Sequence, residues 1–269
     1  MNLTMPNSRM STPKLIILLE ISSSQGESPS ALNDHSKRRM PMCGRFTLHT
    51  PLDELAERFS LLELPFDYDY TPSYNIAPTN MVLTVLPRQA GLPRNAAARE
   101  QAEGSRMAAL LRWGLTLPWQ KPGSKPLINA RLETIAEKPS FRNLVNTHRC
   151  LILADGFYEW KTENGGKYPL YFTLDGGRPF AFAGLWQEGD TPSCTIITQP
   201  AASFMQPIHD RMPLILTPET ENLWLSPLSF KELAAKLPDP EERPLAYHRV
   251  SKMVNSPRNN SIECIQPVS

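Results

Sequence analysis

Tyr168-Pro169-Leu170-Tyr171-Phe172-Thr173-Leu174-Asp175-Gly176-Gly177-Arg178-Pro179-Phe180-Ala181-Phe182-Ala183-Gly184-Leu185 decides the fold class of this chain. Two runs rich in aromatic and β-branched or aliphatic residues, Tyr168 to Leu174 and Phe180 to Leu185, flank Asp175-Gly176-Gly177. Glycine tolerates the positive φ of a tight reversal, so the three residues read as a hairpin signal. Working outward, further strand candidates are Cys43 to Leu48, Met81 to Leu86, Met107 to Trp113, Cys150 to Ala154, Cys194 to Thr198 and Pro213 to Leu216. Most are joined by short turn-rich pieces without regular strand-helix alternation. The pattern predicts an α+β fold: a single compact domain of mostly antiparallel strands, sheet or open barrel-like, with peripheral helices. One helix is expected after Thr50-Pro51, with Thr50 as N-cap, Pro51 as first residue, and Leu52, Leu55, Ala56 and Phe59 facing inward. Later helices begin at Thr217-Pro218 and at Ser229, which forms a capping box with Glu232.

The chain has 269 residues, 41% hydrophobic and 20% charged, enough for one sizeable core. Lysine plus arginine (28) balances aspartate plus glutamate (27), which excludes an overall basic field; any nucleic-acid site must be a local patch. The four cysteines, Cys43, Cys150, Cys194 and Cys264, form no CxxC pair, so neither a zinc site nor a disulfide framework is expected, and the compartment reads as reducing. The apolar run Leu15 to Leu19 ends at Glu20, too short to span a bilayer, and no small-x-small cleavage pattern follows. A cytoplasmic protein is expected. Residues 1–41 have the composition of a disordered extension, read as a mis-assigned start or a removed segment, and the folded domain is expected over 42–269. Residues 89–106, rich in Ala, Gly, Arg and Gln, look like a surface insertion.

Three polar segments lie beside predicted strands, where a scaffold displays reactive groups: Asn129-Ala130-Arg131, Asp155-Gly156-Phe157-Tyr158-Glu159-Trp160 and Ile208-His209-Asp210-Arg211-Met212-Pro213. Taken singly, each also has a structural reading. Asn129 serves as a turn former, Glu159 as a solvated edge carboxylate, and His209-Asp210-Arg211 as an ion-pair turn. Trp113 and Trp186 read as core, whereas Trp119, in Leu117-Pro118-Trp119-Gln120-Lys121-Pro122, reads as exposed.

Taken together, and with Met42-Cys43-Gly44-Arg45-Phe46, Tyr74-Asn75-Ile76-Ala77-Pro78-Thr79, Trp113-Gly114-Leu115, Arg149 to Trp160 and Ala183-Gly184-Leu185-Trp186, the blocks resemble the SRAP (SOS response-associated peptidase) family in its order. The resemblance covers nearly everything from residue 42 onward. It implies an abasic-site processing protein in the DNA damage response, in which the methionine before Cys43 is removed autocatalytically and Cys43 bonds to an abasic site in single-stranded DNA. It leaves room for a strand-cleaving lyase side activity. The chemistry explains the residue type: a free α-amine, with an ordinary pKa of about 7.7 to 8.0, attacks the ring-opened aldehyde, and the thiol of the same residue closes a five-membered thiazolidine.

By match to the family's motif, Cys43, Asn129, Glu159 and His209 are the expected catalytic residues. Asn129 positions the sugar or amine, Glu159 moves protons during imine formation, and His209 is the acid/base at the ring oxygen. Arg45, Asn75, Trp119, Arg131 and Trp160 are the expected DNA-binding residues, with Arg45 and Arg131 on phosphates. The resemblance implies no metal or organic cofactor, no membrane, and a monomer. The sequence departs from the pattern in carrying 41 residues before Met42, so Cys43 as written has no free amine. Two other functions fit the same residues: a cysteine peptidase or amidohydrolase with Cys43 as nucleophile and His209 as base, or a non-catalytic single-strand binding module.

Overall fold

A computed structural model describes residues 43–63, 69–87, 106–121, 123–174, 176–242 and 245–268, all within one compact unit. The readings of 1–41 as an extension and of 89–106 as an insertion lie outside the described residues, save that Arg106 is a buried strand residue. The strands are β1 (Phe46–Leu48), β2 (Leu61–Glu63), β3 (Ser73–Ile76), β4 (Met81–Pro87), β5 (Arg106–Trp113), β6 (Asn129–Arg131) and β7 (Arg149–Ala154). They continue with β8 (Gly156–Glu163), β9 (Gly166–Leu174), β10 (Phe180–Gln187), β11 (Ser193–Pro200), β12 (Arg211–Pro213), β13 (Ile215–Leu216) and β14 (Leu245–Arg249). Helices are α1 (Leu52–Phe59), α2 (Leu144–Thr147), α3 (Pro218–Leu225) and α4 (Phe230–Ala234).

Strands pair into two sheets, β14-β9-β8-β1-β3 and β12-β11-β10-β7-β4-β5-β2, with β13 added to β10 and β6 to β11. All pairings are antiparallel except β2–β5, β5–β11 and β6–β11. The larger sheet curls enough for β11 to meet the end of β5, Ser193 opposite Arg112 and Cys194 opposite Trp113. Phe46 of the smaller sheet packs edge-on against Trp113 and Phe182 of the larger, with centroids 5.0 and 5.7 Å apart. The core therefore lies between the sheets. β7 and nearly all of β11 are buried throughout, which explains why they read as continuous apolar runs. The fold class expected from the sequence is the one observed.

The segment that suggested a hairpin does turn: Gly177 N–H donates to Leu174 O at 2.9 Å, and Gly176 and Gly177 have φ of 74° and 96°. Its two strands nevertheless separate, β9 into the smaller sheet and β10 into the larger. Pro179, immediately before β10, brings no N–H to a ladder and disfavours a helical conformation at the residue before it, which suits a chain that leaves the turn without zipping. The hairpin is instead β8–β9, closed by Asn164 and Gly165 with φ of 49° and 74°, Glu163 opposite Gly166. Two successive positive φ values match the right-handed twist of the strands.

Other departures are local. Strand structure starts at Phe46 rather than Cys43, whose φ of 46° turns the chain out of line. Helix α1 is capped by Pro51, not Thr50, because the Thr50 hydroxyl and N–H go to Asp155 Oδ2. The run Pro213 to Leu216 divides at Leu214, which donates to Ile197 O and accepts from Ala183 N–H as the chain crosses from β11 to β10. The capping boxes of Thr217 with Thr220 and Ser229 with Glu232 form, and Leu55 and Phe59 are the buried face of α1. Among the described residues, no helix is long and apolar enough to cross a membrane.

Candidate active site

Side chains alternate along β8, so Phe157 and Glu159 share one face and Tyr158 and Trp160 the other. Phe157 faces the core, stacking on Phe172 at 5.1 Å and meeting Phe182 at 6.1 Å. Glu159 is thus carried inward at the margin of the same interior and is only 3% exposed. Strand β1 runs antiparallel beside it, Phe46 opposite Phe157, and Tyr158 N–H donates to Arg45 O at 3.0 Å. That register brings the start of the segment to Glu159, and the turn at Cys43 aims its backbone nitrogen at the carboxylate. Cys43 N donates to Glu159 Oε1 at 2.6 Å.

Burial pushes the Glu159 carboxyl up to about 8. Backbone N–H bonds from Cys43 and Trp160 pull the other way, and the charge of Asp210 adds to the rise. Burial, and then the Glu159 charge, push the Cys43 thiol well above its ordinary value. The site therefore offers a protonated thiol and a carboxyl that exchanges its proton near neutral pH.

His209 lies on the segment before β12, next to Asp210, whose charge acts on Glu159. Its ring Nδ1 accepts from Arg211 N–H at 3.1 Å and lies 3.0 Å from Asp210 Oδ1. While Nδ1 accepts, a neutral ring carries its proton on Nε2; protonation of both nitrogens would let Nδ1 donate to Asp210. Arg211 anchors the segment: its guanidinium grips the Glu133 carboxylate with both Nη atoms and donates to Thr198 O at 2.7 Å. β11 is the common support, with Ile196 opposite Asn129, Thr198 opposite Arg131, and Pro200 opposite Arg211. Asn129 is half-buried there and Arg131 is exposed.

The expected DNA-binding residues divide. Arg45 Nη1 donates to Asn75 Oδ1 at 2.8 Å and Val254 O at 2.7 Å, and Nη2 to Asn255 O at 3.2 Å. Asn75, only 2% exposed, points Nδ2 at Val254, Ser256 and Asn259 carbonyls. It fastens the C-terminal segment to the Arg45 guanidinium. Trp160, on the face of β8 opposite Glu159, donates Nε1 to Asn255 Oδ1 at 2.8 Å. Trp119 is 64% exposed.

These positions fall within the part of the chain, residues 42–257, that matches the family model described as SOS response associated peptidase (SRAP). The chain belongs to the SRAP family. It is 40% identical over 237 residues to the abasic site processing protein YoqW of Bacillus subtilis (strain 168), covering 84% of this chain and 99% of that one. It is 34% identical over 239 residues to the abasic site processing protein YedK of Escherichia coli (strain K12), covering 84% and 100%. Among solved structures, a protein from Bacteroides thetaiotaomicron superposes with a TM-score of 0.67 at 23% identity, over 84% of this chain and 100% of that one, a likeness of fold.

Several residues that hold this region together were given no role from sequence. Asp155, fully buried, accepts from Thr47 Oγ1, His49 N–H and both Thr50 N–H and Oγ1, and so ties β1 to the start of β8. Its only sequence signal is a carboxylate next to Gly156 at a strand junction. Asn255 and Asn259, which serve Arg45, Asn75 and Trp160, lie about 180 to 210 positions from Arg45 and Asn75 and carry no local signal. All four cysteines are free and buried. Among the described residues, no group of three or more His, Cys, Asp or Glu is arranged to hold a metal ion.

Proposed function

We propose that this chain processes abasic sites in single-stranded DNA by capturing the ring-opened sugar on a Cys43 that carries a free α-amine. The observation that carries the reading is the 2.6 Å contact between the Cys43 nitrogen and Glu159 Oε1. A nucleophilic amine needs a group that removes its proton and returns one to a departing oxygen, and a carboxyl near pKa 8 does both at neutral pH. The amine adds to the sugar C1′ aldehyde, and the resulting hydroxyl leaves as water with a proton from Glu159 or His209. The Cys43 sulfur then adds to the imine carbon while its proton passes to nitrogen, giving a thiazolidine with one water lost overall. A thiol held protonated by burial brings that proton with it. An imine left open would permit β-elimination, the lyase reaction.

The free amine requires that residues before Cys43 be absent from the working form, through removal of 1–42 or, from a start at Met42, through removal of that methionine. Hydrolysis of the Met42–Cys43 bond would place the leaving nitrogen at Glu159, and the family description as a peptidase and a match that begins at residue 42 support this. Arg131 and Trp119, both exposed, would contact phosphate and base. Arg45 retains donors beyond the three bonds described, and Asn75 positions it. A conventional cysteine hydrolase is disfavoured because burial raises the thiol pKa where a nucleophilic thiolate needs it lowered.

The test is a denaturing gel with single-stranded oligonucleotides that do and do not contain one abasic site. A shifted band is expected only with the abasic strand and is expected to disappear in Cys43→Ser, whose oxygen forms no thiazolidine. Equal bands from both strands, or a full band from Cys43→Ser, would overturn the reading.

A further inference from the structure

The face of β8 that carries Glu159 does not end at the active site. Two residues on, Lys161 lies on the same face, directly opposite Tyr168 of β9. Glu159 is opposite Leu170, and Leu170 is in turn opposite Arg249 of β14, so Arg249 stands two strand spacings, about 10 Å, from Glu159 across one sheet face. The Arg249 guanidinium lies 3.6 Å from the Tyr168 ring centroid, and Lys252 Nζ lies 4.7 Å from the same centroid. Two like charges gathered on one ring repel each other; the electron-rich ring face offsets part of that cost and holds both cations in place. Lys252 is exposed, Arg249 and Tyr168 are half-exposed, and Tyr247, next along β14 on this face, is 51% exposed. Moving away from the core, the face changes from Phe157 and Phe172 to Glu159, Leu170 and Arg249, and then to Lys161 and Tyr168, over whose ring Lys252 reaches.

In a chain whose charges nearly cancel, with 28 basic against 27 acidic residues, this is a local basic and aromatic platform running out from the candidate active site. We infer that the Lys161–Tyr168–Arg249–Lys252 platform binds the phosphodiester backbone of single-stranded nucleic acid and guides it to Cys43 and Glu159. The inference rests on the proposed abasic-site chemistry for its direction of travel. The binding itself does not depend on that chemistry. Arg249 and Lys252, pre-positioned on Tyr168, take successive phosphates, and Tyr247 supplies an apolar surface beside them. Lys161 is partly committed to Glu163, 3.2 Å away, and makes the smaller contribution.

The experiment measures binding of the full chain to a fluorescein-labelled single strand without a lesion, by anisotropy across a salt series. Covalent capture of the matching abasic strand by the chain that begins at Cys43 is followed in parallel. Each lost phosphate contact should reduce the salt slope by about 0.7 and, near 0.1 M salt, weaken binding about five-fold. Arg249→Gln and Lys252→Gln should each show this loss, and Arg249→Lys should keep the slope. Lys252 is exposed, so its substitution does not threaten folding. With abasic DNA below saturation, capture by the Gln variants should slow in step with their weaker binding. Unchanged affinity and slope in both Gln variants would overturn the platform even where capture proceeds. Binding of intact strands through these residues, with no capture of an abasic strand by the chain that begins at Cys43, would leave the platform standing and overturn the proposed chemistry. A parent that binds no strand would overturn the platform.

Discussion

The backbone nitrogen of Cys43 donates to Oε1 of Glu159 at 2.6 Å, in a position where the carboxylate is almost fully buried. An N–H this close to a desolvated acid is a relay waiting for a substrate if the nitrogen is an amine, and a simple structural bond if it is an amide. Glu159→Gln keeps the shape and removes the proton acceptor. Single-turnover capture of a saturating abasic strand should slow by about 100-fold or more. An unchanged rate would remove Glu159 from the chemistry.

The same burial makes stability depend on pH. Glu159 is raised to about 8 from an ordinary 4.5, so the folded state holds a proton that the unfolded chain has lost between those values. Its contribution is intact below about 4.5 and declines as pH rises toward 8, by an amount on the order of a few kcal/mol in full. In the full chain, where Cys43 N is an amide, the melting temperature relative to Glu159→Gln should fall from pH 5 to pH 8. A parallel pair of pH profiles would contradict this.

Asn75 should behave as a structural residue. Its amide serves three carbonyls of 254–259 and the Arg45 guanidinium, so Asn75→Ala leaves several partly buried polar groups without partners. Urea unfolding should show a loss of about 2 to 4 kcal/mol, with faster hydrogen exchange at 254–259. Trp119→Ala, at an exposed position, should change stability by less than about 0.5 kcal/mol.

At Gly156 a Cβ would fall 2.2 Å from the Tyr171 hydroxyl and 2.3 Å from its ring carbon Cζ. Tyr171 is itself held by Thr47, in the network that joins β1 to β8. Gly156→Ala should therefore destabilise the chain by about 3 kcal/mol, the upper part of the overpacking range, measured by urea unfolding. A change within about 0.5 kcal/mol would show that the strand shifts freely to make room.

What could be read from sequence followed the range of the interactions. Ser229 with Glu232 and Thr217 with Pro218 are signals four residues long or shorter, and both helix starts form where expected. Asp175-Gly176-Gly177 is also local, and the turn forms, but turn chemistry does not say whether flanking strands stay together; Pro179 and the competing Asn164-Gly165 hairpin decided that. Glu159 entered as a candidate through the family pattern. Its burial was not legible, because it depends on sharing a face with Phe157 beneath a sheet formed by distant strands. The bonds of Asn75 carried no local signal, because its partners, Val254 to Asn259, lie near the other end of the chain.

The account rests on Cys43 acting through its own α-amine, and the intact mass of the purified covalent complex with an abasic single strand tests this most directly. The predicted mass is that of the chain from Cys43 to Ser269 plus the oligonucleotide, less one water. A covalent complex whose protein part still carries residues before Cys43, or no covalent complex from a chain that begins at Cys43, would contradict the account.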